Sequence, residues 1–247
     1  MKAQRLEPGL NNSVRSAAWC AKDGFTSAYL TGHAFKRALT QENSAVMEYS
    51  KVKGIENDKN NFKIYLENNE HLIAKRIVLA GGVWLEDMLS WLNVKIPIKC
   101  LINQLIITER MPQVMKTVLS IANGLLSLKQ FDNGTVLIGG GWQGLGDKER
   151  GGVEAIPENL KGNIRLACHV IPELCYGRMV RVWLGLEAET ADALPVIGNV
   201  PGISNAYVIG SVHSGYTSGP YMGWLLSQFI MGQETEMSLF DPSRLIN

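Results

Sequence analysis

The stretch Ile77-Val78-Leu79-Ala80-Gly81-Gly82 constrains the fold more than any other in the chain. Its first four residues are all apolar, so a strand here is covered on both faces, the mark of a strand inside an α/β layer. Two glycines stop it. Trp84, Leu85, Met88, Leu89 and Leu92 then follow at helical spacing. A buried strand feeds a helix across a glycine turn. The chain's 247 residues hold one to two domains at roughly 150 residues each, enough for a sizeable core.

Around this unit the pattern alternates. Leu30, Ala34 and Ala38, with Phe35 and Leu39, predict a helix over 28–42 capped by Thr26 or Ser27. Ala45 to Val52 reads as a strand. Phe62, Ile64 and Leu66 alternate with Lys63, Tyr65 and Glu67 after a polar turn at 57–61, which predicts a half-buried strand in a small meander. Ile96 to Glu109 is strand-like, and Leu125–Gln130 meets Thr135–Gly139 across Asp132-Asn133-Gly134, a hairpin signal. Leu160, Ile164, Cys168 and Ile171 mark a helix opened by Pro157. Met179–Leu184 and Ala206–Ile209 read as strands, and a last helix over Tyr221–Met231 lies between Pro220 and Gly232. The expectation is α/β at both ends with an antiparallel insertion between about residues 96 and 180.

Basic and acidic side chains number 24 and 23, a net charge of +1, which gives no field to gather nucleic acid or a membrane surface. Neither is an expected partner. No leader peptide and no run of about 18 apolar residues is present, so the expected location is the cytoplasm. Cys20, Cys100, Cys168 and Cys175 match neither a disulfide framework nor a metal knuckle, and read as reduced structural thiols. His33, His71 and His169 have no partner at ligand spacing, and no metal is expected.

Three glycine segments carry candidate chemistry. Gly139, Gly141 and Gly144 spell G-x-G-x-x-G after a strand, but Leu145 to Pro157 has no helical periodicity. A dinucleotide fingerprint needs a helix there, so this reads as a strand end passing close to other backbone. The turn at Gly81-Gly82 lets a flat ligand approach the main chain. Gly210 through Pro220 is a glycine and hydroxyl loop between a strand and a helix N-terminus, where developing negative charge is stabilised. Ser214 is no nucleophile elbow, because Val212 stands where the first glycine of G-x-S-x-G belongs.

Together these segments resemble the flavin-dependent amino acid oxidoreductases of the D-amino acid oxidase type. Leu6-Glu7-Pro8-Gly9-Leu10, Ile77 to Trp84, Gln104 through Glu109, Leu128-Lys129-Gln130 with Val136 to Gly141, Arg181 to Leu186, Ala193 to Gly198 and the 210–220 loop each look like a family motif, in the family's order. The resemblance implies an α+β or α/β fold: an incomplete FAD-binding domain of the glutathione-reductase kind (25–95 and 181–247) and an antiparallel-sheet substrate domain (1–24 and 96–180).

The resemblance further implies bound FAD and oxidation of a small amino acid or secondary amine by hydride transfer, giving an imine. Val52, Ala80, Gly81, Gly82, Trp84, Gly185, His213, Ser214, Gly215, Tyr216 and Thr217 would contact the cofactor, and Gln130, Trp142 and Tyr216 would line the substrate. No obligatory base is assigned, because such a transfer needs orientation more than proton abstraction.

Three departures bear on this. Nothing before Leu6 supplies the family's N-terminal β-α-β unit, so the expectation is a truncated chain with apolar surface bared near Ile77–Ala80 and Ala206–Ile209. The alternative function is then a non-catalytic remnant or subunit whose flavin site is completed by a partner chain or a homo-oligomer. Glu187 stands where glycine-oxidase-like members carry a carboxylate-binding Arg, which leans the reading toward sarcosine- or proline-type subunits. Ser211 and Val212 displace His213 by one position from the family's pattern.

Overall fold

The computed structural model describes residues 2–58, 61–149, 152–210 and 215–246. Along the chain these form α1 (Lys2–Leu6), α2 (Ala28–Gln41), β1 (Val52–Asp58), β2 (Asn61–Leu66), β3 (His71–Ala74), β4 (Ile77–Leu79), α3 (Leu85–Ser90) and β5 (Lys99–Arg110). The short strands β6 (Leu119–Ser120), β7 (Ser127–Gln130), β8 (Thr135–Gly139), β9 (Leu145–Gly146) and β10 (Val153–Glu154) come next. The chain continues through α4 (Pro157–Val170), β11 (Met179–Glu189), β12 (Val196–Asn199), β13 (Ala206–Gly210) and α5 (Gly215–Ile230). The fold is mixed α and β, in two compact units: residues 1–27 with 102–186, and 28–101 with 187–247. The expected divisions fell at 24/25, 95/96 and 180/181; the structural ones fall at 27/28, 101/102 and 186/187.

The first unit is built on a five-stranded sheet in the order β11-β5-β8-β7-β6. Its pairs β5–β8, β8–β7 and β7–β6 are antiparallel. Burial along β5 alternates, with Ile102, Gln104, Ile106 and Thr108 inward, the period-two pattern of a sheet with one covered face. Ile106, Leu128, Val136 and Ile138 form a core with Ala167, Val170 and Ile171 of α4 and its exit. Pro157 occupies the first turn of α4, where its missing N–H costs nothing.

Three buried polar side chains of this unit tie its backbone together. Gln104 donates to the Gln143 carbonyl and accepts from Ile156 N–H. Thr108 Oγ1 accepts from Val136 N–H. Glu7, 2% exposed, accepts through Oε2 from Lys116 N–H, Thr117 N–H and the Thr117 hydroxyl, tying the segment after α1 to residues 116–117.

In the second unit β1, β2 and β3 form an antiparallel meander, and β12, β13 and β4 a separate three-stranded sheet. Within the latter, β12–β13 is antiparallel and β13–β4 parallel. Ile77 and Leu79 of β4, Val208 of β13, Val83, Leu85 and Leu89 around α3, and Ile55 and Phe62 of the meander share one core.

Several expectations change here. The first meander strand is Val52–Asp58 and not 45–52, because the chain turns at Glu48–Tyr49, where Tyr49 has φ 56°, and only beyond that turn does it pair with β2. The last helix begins at Gly215, so Pro220 lies inside it instead of opening it. The predicted bare patch at 77–80 and 206–209 is mostly covered, since Ile77, Leu79, Ala206 and Val208 are buried and only Val78 and Ala80 are exposed. Exposed apolar surface is instead carried by α2, which has no buried residue and presents Tyr29, Leu30, Phe35 and Leu39 to solvent.

Candidate functional site

Parallel pairing brings the glycine-bearing ends of β4 and β13 in the second unit together. The register Ile77↔Ala206, Val78↔Tyr207, Leu79↔Val208 makes β4 and β13 end side by side. Ala80-Gly81-Gly82 therefore leaves the sheet next to Ile209-Gly210. Leu85, fully buried, lies against the end of β13: a Cβ on Gly210 would stand 3.4 Å from its Cδ2 atom.

Each glycine at the β4 end has a distinct reason to be glycine. A Cβ on Gly81 would collide with Met88 Sδ, so the main chain is pressed onto α3. Gly82 has φ +57°, the left-handed region, with no heavy atom within 4 Å of where a Cβ would project. It is open toward solvent, and only conformational cost excludes a larger residue there. A 3-10 turn over Gly82–Trp84 follows, its Trp84 N–H donating to Gly81 O, and α3 begins at Leu85. Ala80, Gly82 and Trp84 are exposed.

At the β13 end the chain enters α5 through residues 211–214. His213 and Ser214 lie outside the described residues. Gly215, Tyr216 and Thr217 make the first turn of α5, whose amide dipoles give that end positive character. The Tyr216 hydroxyl is 2.7 Å from Thr31 Oγ1, which joins the start of α5 to the first turn of α2. Pro220, with no N–H, cannot make the helical bond to the Tyr216 carbonyl.

Val52 opens β1 beside a bulge and packs against the core that holds β4. Gly185 lies in β11 of the first unit, with nothing within 4 Å of its Cβ position. Gln130 and Trp142, also in the first unit, are engaged in packing. The Gln130 amide accepts from Val114 and Met115 N–H and donates to the Pro112 and Gly134 carbonyls, which occupies its polar atoms with loop backbone. The Trp142 indole donates to Leu125 O and covers Gly162, whose Cβ would sit 2.6 Å from the ring. The glycine triple at 139–144 is a strand end: Gly140 (φ +125°) would drive a Cβ into Leu126 N, and the next described helix begins only at Pro157. Among the described residues no group of three or more His, Cys, Asp or Glu could hold a metal, and no helix is long and apolar enough to cross a membrane.

Sequence reasoning missed one anchor of this sheet. Arg244 reaches both Asp192 carboxylate oxygens at 2.8 and 3.2 Å, and donates to the carbonyls of Leu194, Phe240 and Asp241. The guanidinium hydrogen bond, helped by Leu194 N–H and the Thr190 hydroxyl, holds the Asp192 carboxyl well below the usual carboxylate range. The clasp fixes the chain end over β12, where Pro242 packs on Gly198. Its only local signal was Asp241-Pro242-Ser243, a capped turn in which Asp241 accepts from Ser243 N–H.

In the second unit the parallel pair β4–β13 ends at Gly81-Gly82 and at Gly210, with α3 and α5 the next α-helices along the chain, and the first unit of the same chain is built on a largely antiparallel sheet. The chain belongs to the FAD dependent oxidoreductase (DAO) family, whose profile matches residues 1–229. It is 26% identical over 249 residues to an opine oxidase subunit of Rhizobium meliloti, covering 98% of this chain and 63% of that protein. L-proline dehydrogenase from P. horikoshii superposes with a TM-score of 0.89 at 22% identity, over 98% of this chain and 66% of that one. Glycine oxidase from Geobacillus kaustophilus gives 0.85 at 19%, over 99% and 65%. The chain thus spans just under two thirds of these relatives.

Proposed function

We propose that this chain serves FAD-dependent oxidation of a small amino acid or secondary amine, which leaves as the imine. The observation that supports the reading is the meeting of the Gly81-Gly82 turn and the Gly210 end of β13 on one parallel strand pair. The second unit would hold the cofactor: Ala80, Gly81 and Gly82 by close backbone approach, Trp84 by its exposed ring, Gly215, Tyr216 and Thr217 by the positive end of α5, and Val52 from the meander. The antiparallel-sheet unit would serve the substrate side. FAD, when bound, supplies the hydride acceptor. The chain's own part is to orient the amine, exclude water and favour negative charge at the α5 end.

Titrating the purified chain with FAD tests this. Quenching of flavin fluorescence is expected, with bleaching of the yellow colour by one amino acid under anaerobic conditions. Gly82→Val, which costs about 1–2 kcal/mol in left-handed backbone and fills the open approach, is expected to weaken flavin binding at least tenfold while the far-UV circular dichroism is retained. A colourless wild type, or unchanged binding in the variant, overturns the reading.

The bare apolar stripe of α2 favours a second reading, a subunit that joins a partner chain or another copy of itself to complete the site. The opine oxidase relative is itself a subunit, which agrees with it. A purified chain that takes up FAD as a monomer would exclude it.

A further inference from the structure

An asparagine followed by glycine is prone to spontaneous loss of ammonia, because glycine has no side chain to shield the nitrogen that attacks. The sequence holds two such pairs, Asn123-Gly124 and Asn133-Gly134, both in the first unit. The fold treats them differently.

In the β7–β8 hairpin, Asn133 Oδ1 accepts from Thr135 N–H at 3.0 Å and from the Thr135 hydroxyl at 2.8 Å, which fixes the side chain. Gly134 is held at both ends. Its N–H donates to Phe131 O at 2.8 Å, and its carbonyl accepts from Met111 N–H and the Gln130 amide. A Cβ at Gly134 (φ +89°) would stand 2.7 Å from Met111 O, so the main chain is closely packed there. Ring closure needs the glycine nitrogen to give up its proton and the carboxamide to swing onto it. Here each of the two groups is already committed to another partner.

Asn123-Gly124 lies in the connection between β6 and β7, and both residues are exposed. Asn123 borders an open cavity of about 1030 Å³ walled by residues from 10–25 and 116–123. Among the described residues neither the Asn123 carboxamide nor the Gly124 N–H is hydrogen-bonded. Both groups are therefore available to each other.

We propose that Asn123 is a site of spontaneous deamidation in the folded protein, while Asn133 is protected by its turn; the modification is independent of the flavin reading. The Gly124 nitrogen, losing its proton, attacks the side-chain carbonyl carbon of Asn123. A new N–C bond forms, the carbon's bond to the amide nitrogen breaks, and ammonia leaves with the proton. Water then opens the succinimide at one of its two carbonyls, giving aspartate or isoaspartate. One water is consumed and one ammonia released, with no change in oxidation state. Isoaspartate lengthens the main chain two residues before Leu125, whose carbonyl accepts from the Trp142 indole and the Asn163 amide.

Trypsin separates the two pairs, Asn123 falling in Thr117–Lys129 and Asn133 in Gln130–Lys148, each the sole asparagine of its peptide. The purified whole protein is aged in mildly alkaline buffer, digested and read at each asparagine by tandem mass spectrometry. Asn123 is expected to deamidate at least about fivefold faster than Asn133. In urea, where both connections lose their structure, the two rates are expected to converge. Equal rates in the folded protein, faster reaction at Asn133, or a difference that persists in urea overturns the proposal.

Discussion

Arg244 shows how much one side chain can hold when its geometry suits its partners. Its guanidinium meets a carboxylate through two nitrogens and three carbonyls besides, so it has little freedom left to lose. The Asp192 side chain is 35% exposed, and solvent screening takes much of the charge's value. Arg244→Ala is expected to cost about 1–2 kcal/mol in urea unfolding. Asp192 has its carboxyl lowered in the folded state, so its contribution is complete above the unfolded value of about 4 and is lost as pH falls below that. Wild type should lose stability below pH ~4 more steeply than Arg244→Ala. Parallel curves in that window would remove the clasp from the acid response.

Among the elements, α5 carries the clearest internal conflict. A proline at its sixth residue withholds a helical donor, a defect of a kind that natural helices keep for a reason. Pro220→Ala supplies that donor and should raise the melting temperature, by about 1 kcal/mol of stability. By regularising the first turns it should also shift the amides that face the proposed cofactor site and weaken flavin uptake. Elements whose signals were local could be read from sequence. Pro157 marked the start of α4, and Asp132-Asn133-Gly134 the β7–β8 hairpin. The start of α5 was misplaced because proline is so common at a first helical position that Pro220 concealed the turn before it. The first meander strand was set too early because nothing in the letters announces a left-handed Tyr49. At the site, Gly81-Gly82 was legible as a strand stop. The Thr31–Tyr216 bond and the Asp192–Arg244 clasp join residues 185 and 52 positions apart, where no local pattern exists.

Across the molecule each unit has its own core, and the second depends on one long-range strand pair. Leu79, 3% exposed, sits where β4 meets β13, and the meander residues Ile55 and Phe62 close the same cluster. Leu79→Ala should cost about 2–4 kcal/mol through the cavity it leaves, read as a lower urea midpoint. Because the Gly81-Gly82 and Gly210 strand ends are held by this pairing, the proposed flavin binding should fall with it; full binding in a destabilised Leu79→Ala would separate the proposed cofactor site from the sheet.

The same pairing sets a timetable for biosynthesis. β4 emerges from the ribosome about 130 residues ahead of β13, and at about 5–20 residues per second the wait is roughly 6 to 26 s. Throughout that interval an apolar strand lacks its neighbour. A nascent chain of this design is a natural client for a holding chaperone, and slowing translation between the codons for β4 and β13 should increase its aggregation in the cell.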